Sequence, residues 1–160
     1  MLDKKTIIDA ALKALASKLE AMRSSAEETR KGATHEESRP ENDKDTRGLE
    51  ASYLARGQAL RVREMTEAMA QLRYMELFGF GGGKPIALSA LVVVEAESEV
   101  RYLLLVPAGG GVKVRVDDLD IQLVTPQSPL GRALLHKEVG DVFELRVHGQ
   151  LREYEVMEVS

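Results

Sequence analysis

Apolar residues recur along the first part of the chain at alternating spacings of four and three. Ile8, Leu12, Leu15, Leu19, Met22 and Ala26 fall on one narrow helical seam, the a/d pattern of a coiled coil. The pattern breaks from Gly32 to Asp45, where Gly32, Pro40 and Asn42 sit among charges. It resumes from about Arg47 to Leu77, with Ala51, Ala55, Val62, Met65, Met69, Leu72 and Met75 on one face. Neither helix can bury a one-sided seam alone, so the pattern predicts an antiparallel hairpin. The small Ala51 and Ala55 fall near its turn, which predicts a thin, polar tip and a more securely packed base. Dimerisation through the same seam is the purely architectural alternative.

The period changes at Gly79-Phe-Gly-Gly-Gly-Lys-Pro85. Good helix formers dominate before it, and β-branched residues in period-two alternation dominate after it. Strands are predicted at Ile86–Glu97, Glu99–Val106, Val112–Val116, Ile121–Thr125, Val142–Val147 and Arg152–Val159. Glu97-Ser98, Gly109-Gly110-Gly111 and Gly149-Gln150 supply turns. One short helix is predicted at Pro129–His136, with Ser128 as its N-cap and Pro129 at its first position. The fold class is therefore α+β: a coiled-coil hairpin over residues 1–78, a glycine-rich linker at 79–85, and a small, mostly antiparallel β domain over 86–160.

Composition narrows the function. The net charge of −4 argues against unassisted binding to a phosphate backbone, which requires a basic face. The absence of cysteine excludes disulfides, thiol catalysis and cysteine-based zinc sites. No signal peptide is visible, and the most apolar run, Ile86 to Val94, is about half a membrane span. The chain reads as a soluble, cytoplasmic protein with no membrane role.

Motifs for self-contained chemistry fail. Gly81-Gly82-Gly83-Lys84 suggests a phosphate loop, but the loop's first glycine falls on Phe78 and its Ser/Thr on Pro85. A dinucleotide fingerprint fails because its last glycine falls on Lys84. Asp43-Lys44-Asp45 opens like a calcium loop, yet Arg47 and Leu54 occupy two of its ligand positions. His35, His136 and His148 lack metal-ligand spacing, and no nucleophile elbow is present. The chain is not expected to be an enzyme by itself, nor to hold a cofactor by itself.

What remains is the turn between the helices, with Glu36, Glu37, Glu41, Asp43, Asp45 and Glu50. Most charge runs are simply solvated loops. Closely spaced carboxylates on a rigid arm can also offer hard oxygen ligands to a divalent cation, provided that a second site completes its coordination. Asp43 and Asp45 are the favoured pair, supported by Glu41 and Glu50.

The stretch Ser128-Pro-Leu-Gly-Arg-Ala-Leu-Leu-His-Lys-Glu-Val-Gly-Asp141, followed by Val-Phe-Glu-Leu and then Arg152-Glu-Tyr-Glu-Val-Met-Glu-Val, resembles the end of the GreA/GreB transcript-cleavage factors. Hairpin-then-sheet order and overall length resemble that family too. The resemblance implies an FKBP-like second domain that docks on bacterial RNA polymerase through the region of Ser128 and Pro129. It also implies a hairpin that enters the polymerase secondary channel as a monomer. There the tip acids Asp43, Asp45, Glu41 and Glu50 would assist the polymerase's own active site. Asp43 and Asp45 would share a Mg2+ ion with it only within the complex, and backtracked nascent RNA would be cleaved. Peptidyl-prolyl isomerase chemistry is not implied, because Phe80, Tyr102, Phe143 and Tyr154 are too few to line such a pocket.

The tip departs from the family. Anchored on Tyr53, Glu50 falls on the family's asparagine and Leu49 on its key glutamate, while Asp45 lies one residue away from its aspartate. Two readings stay open. Either displaced acids stimulate cleavage, or the chain occupies the channel without cleavage and competes with Gre factors.

Overall fold

The computed structural model describes residues 2–34 and 47–160. Two helices, α1 (Lys4–Thr34) and α2 (Arg47–Tyr74), precede strands β1 (Leu91–Ala96), β2 (Glu99–Leu105), β3 (Lys113–Val116) and β4 (Leu119–Val124). A short helix α3 (Pro129–Leu134) and strands β5 (Val142–Val147) and β6 (Gln150–Val159) complete the chain. The α+β order of two helices and then a sheet is as the sequence predicts. The chain divides into two compact units, residues 14–67 and residues 1–13 with 68–160.

In the first unit the two helices run antiparallel. Gln58 Nε2 donates to Ser25 Oγ at 3.2 Å, and Ala55 and Ala59 face Ala26 across a cleft of about 440 Å³. The expected seam is present. Leu15 and Leu19 are buried, but Met22, Ala26, Ala55, Val62 and Met65 are only half-buried. Alanine is too small to close the space between the helices, so burial declines along α1 beyond Leu19. A polar defect adds to this: Gln58 Oε1 is buried without a hydrogen-bond partner among the described residues.

The second unit begins with a capped helix start. The Asp3 carboxylate accepts from Thr6 Oγ1 at 2.8 Å and from Thr6 N at 3.1 Å. These bonds, the side-chain one foremost, hold its pKa below the usual carboxylate value. Ile7, Ile8, Ala11 and Leu72 are buried in this unit. Lys4 Nζ donates to Phe78 O at 2.6 Å and lies 4.8 Å from the centre of the Phe80 ring. Partial burial lowers its pKa.

The sheet has six strands in the order β3-β4-β2-β1-β6-β5. Every neighbouring pair is antiparallel except β2 with β4, which run parallel. Alternation along the strands sends Val92, Val94, Leu103, Leu105, Val124 and Val156 into one core, which Leu134 of α3 joins. Three hairpins turn on two residues with positive φ: Glu97-Ser98, Asp117-Asp118 and His148-Gly149. That geometry matches the right-handed twist of the strands.

Several sequence-based boundaries move. The predicted strand from Ile86 begins only at Leu91. Ile86 instead pairs with the segment after α3, donating to Lys137 O at 2.8 Å and accepting from His136 N at 2.9 Å. Ser89 has φ 72, and its hydroxyl accepts from Phe78 N at 2.9 Å. A continuous apolar run reports burial, which Ile86 and Ala90 have, and not extension. Helix α3 stops at Leu134 rather than His136, because His136 adopts φ 66 to reach Ile86. The last hairpin turns at His148-Gly149 and not at Gly149-Gln150, since Val147 pairs with Gln150. The Asp117-Asp118 turn starts β4 at Leu119, two residues before the predicted Ile121.

Candidate functional site

Two sets of residues stand out in the sequence, one at the hairpin turn and one at α3. Asp43, Asp45 and Glu41 lie outside the described residues. Glu50 is exposed in the first turn of α2. A carboxylate there interacts favourably with the helix dipole, which is reason enough for an acid at that position. Leu49 and Tyr53 beside it are more than half exposed. Among the described residues no group of three His, Asp or Glu side chains is arranged to hold a metal ion. Glu50 is thus the one acid of the turn whose position is described, and one carboxylate does not make a cation site.

Ser128 and Pro129 are built into the sheet unit. Ser128 Oγ accepts from Gly131 N at 3.0 Å and donates to Thr125 O at 2.8 Å, while Pro129 takes the first helical position. The first turn of α3 therefore presses on the end of β4. Gly131 sits so close that a Cβ there would overlap the Thr125 carbonyl oxygen. Further along, Gly140 has φ 90 and donates to Val156 O at 2.8 Å. The Asp141 carboxylate accepts from Glu138 N at 2.8 Å. Much of the recognisable stretch from Ser128 to Asp141 is thus needed to build the fold, whatever else it does.

Ser128 and Pro129 also stand on the rim of a cleft of about 790 Å³ on the core face of the sheet. Its walls include Val124, Leu130 and Leu145, and Arg101, Gln122 and Tyr154 line it from three different strands. Tyr154 is 1% exposed, and its ring stacks on Phe143 at 5.2 Å between centroids. No local signal in the sequence brings Arg101, Gln122 and Tyr154 together. Alternation gives each a face, but only strand order and register make them neighbours.

The comparisons with known proteins bear on this unit. A family model described as "Transcription elongation factor, GreA/GreB, C-term" matches residues 91–160. The match covers less than half of the chain and shows a likeness to the GreA/GreB family over residues 91–160. The transcription elongation factor GreA of Maricaulis maris (strain MCS10) is 41% identical over 46 residues, 28% of this chain and 29% of that protein. The matched segment thus spans less than a third of that relative. Among solved structures, Gfh1 of Thermus aquaticus is 26% identical with a TM-score of 0.41, covering 94% of both chains. The GreA factor homolog 1 (Gfh1) of Thermus thermophilus is 21% identical with a TM-score of 0.38, covering 94% of this chain and 95% of that one. The GreA/GreB match covers α3, the cleft floor and its Ser128-Pro129 rim; the two helices lie outside the matched residues.

Among the described residues no helix is long and apolar enough to cross a membrane.

Proposed function

We propose that the protein is an elongation factor that binds bacterial RNA polymerase, docking through its C-terminal domain and placing its helical hairpin in the secondary channel. The observation that supports this is the GreA/GreB match over residues 91–160, preceded in the chain by an antiparallel helix pair. Ser128 and Pro129 are the proposed polymerase-facing residues. In the complex, Asp43 and Asp45, supported by Glu41 and Glu50, bring carboxylates to the polymerase active site. Their oxygens suit Mg2+, a hard cation, whose remaining coordination the polymerase completes. Cleavage of backtracked RNA is then carried out by the polymerase, and the chain acts without being an enzyme itself.

A second reading is favoured by the tip sequence, where Leu49 takes the place of the family's key glutamate. On that reading the hairpin occupies the channel without cleavage. Two measurements separate the readings. Added to a backtracked elongation complex, the protein should shorten the RNA from its 3′ end. Asp43→Asn with Asp45→Asn should abolish shortening and leave polymerase binding intact. Displacement of a GreA factor from polymerase without any shortening selects the second reading. Failure to bind polymerase removes both.

A further inference from the structure

The sheet ends in two edge strands, β3 and β5. In an antiparallel pair, successive residues turn their N–H and C=O groups alternately toward and away from the neighbouring strand. Val116 and Leu119 close the β3–β4 hairpin, and Leu123 N donates to Val112 O at 2.8 Å. Val112, Val114 and Val116 therefore face β4, and the backbone groups of Lys113 and Arg115 point outward. The same count applies to β5. Val147 and Gln150 close the β5–β6 hairpin, and Val156 N donates to Asp141 O at 2.9 Å. The backbone groups of Val142, Glu144 and Arg146 thus point away from β6, on the side where the sheet has no further strand. All three residues are exposed, Val142 by 51%.

An open edge invites another strand, and proteins commonly blunt it with charge. β3 follows that rule: both outward residues are cations, so a second β3 laid alongside would meet like charge. β5 does not. Its outward charges, Glu144 and Arg146, are opposite in sign and two residues apart. Of the antiparallel registers that overlap most of β5 with a second β5, the one centred on Glu144 apposes two glutamates. The one centred on Leu145 sets Glu144 opposite the copy's Arg146, and Arg146 opposite the copy's Glu144. On the other face it sets the half-buried Leu145 against the copy's Leu145, and Phe143 against the copy's Val147. Opposite charges directly across a ladder attract, and like charges repel. Neither charge is matched across the ladder it already has, because Glu144 stands opposite Glu153 and Arg146 opposite Leu151.

We infer that β5 is a self-recognition edge: two copies of this chain pair β5 with β5, antiparallel about a two-fold axis at Leu145, and join their sheets into one. A two-fold contact of this kind is closed, so it makes a dimer and not a filament. Glu144 and Arg146 of the two copies exchange about four main-chain hydrogen bonds, flanked by the two ion pairs. So short an interface gives a reversible dimer that dissociates on dilution. Nothing in this pairing depends on polymerase binding.

The test is analytical ultracentrifugation of the full chain from about 5 μM to about 500 μM, with amide exchange read over the same range. The mean mass should rise toward that of a dimer. Exchange at the outward amides of Glu144 and Arg146 should slow as concentration rises, while that of Leu145, which faces β6, should not change. Glu144→Arg and Arg146→Glu each put like charges opposite one another, and each should weaken self-association by about tenfold. Mixed in equal amounts, the two variants restore both ion pairs and should associate as well as the unchanged protein. Glu144→Arg also relieves the apposition with Glu153, so its melting temperature should not fall. A monomer mass throughout the range, full association by either variant alone, or a mixture that fails to recover overturns the inference. So does a dimer in which exchange at Glu144 and Arg146 is unchanged, because the contact then lies elsewhere.

Discussion

In the unit of residues 1–13 and 68–160, Val92, Leu104, Leu105 and Leu134 are completely buried. In the unit of residues 14–67, Leu15 and Leu19 are the buried large side chains among the described residues, and the rest of the seam is half in water. Both follow the sequence's apolar period faithfully, yet they achieve different packing. A sheet covered by a helix encloses side chains from several directions. Two helices side by side cover only one stripe of each other, and where that stripe is alanine a cleft remains. Periodicity tells which residues turn inward. It does not tell how completely the inside is closed.

The largest test of that contrast is truncation on each side. Leu105→Ala should cost about 3 kcal/mol, as deletions in closed cores do, whereas Met22→Ala should cost about 1 kcal/mol or less. Urea unfolding followed by hydrogen exchange resolved by residue reads both; equal losses would erase the distinction. Next comes crowding. Gly131→Val should cost about 3 kcal/mol, because the added side chain meets the Thr125 carbonyl at the start of α3. An unchanged melting temperature would show that α3 is free to shift.

Smaller effects should run in the opposite direction in the hairpin. Gly57 lies exposed within α2, and nothing stands within 4 Å of where its Cβ would be. Gly57→Ala should therefore stabilise the hairpin by about 1 kcal/mol, seen as slower exchange of the amides around it. Gln58→Leu removes a buried oxygen without a partner but also the bond to Ser25 Oγ, and should add less than Gly57→Ala does. If neither variant slows exchange, the hairpin is not limited by its own packing. The smallest effect belongs to Asp3. Its folded-state pKa is lowered, so its contribution is present above the unfolded value and fades as pH falls through the folded one. Protection of the Thr6 amide should weaken over that acid range, and Asp3→Asn should flatten the dependence.

The two regions also differ in what could be recognised. The stretch from Ser128 to Asp141 is distinctive because several of its residues each serve one local purpose. Ser128 caps, Pro129 starts a turn, Gly131 makes room, Gly140 takes positive φ and Asp141 closes a turn. Such demands restrict residue choice position by position, so they leave a readable pattern. On the proposed function the acids between α1 and α2 need only charge and reach, which tolerate movement along the chain, and Glu50 is the one whose place the structure describes. The cleft bordered by Ser128 and Pro129 was not legible at all, because Arg101, Gln122 and Tyr154 each look like ordinary strand residues.

Local chemistry alone therefore determined the helices, most strands, the α3 cap and the inward face of each element, since these depend on neighbours within about one turn or one hairpin. The tertiary structure decided the rest. Ile86 and Ser89 became a pinned connection instead of a strand because their partners lie at His136, Lys137 and Phe78. The parallel pairing of β2 with β4 set Arg101 and Gln122 on the same face of neighbouring strands, and β6 added Tyr154. Backbone periodicity is written residue by residue, whereas which strands become neighbours depends on how the whole sheet closes its core.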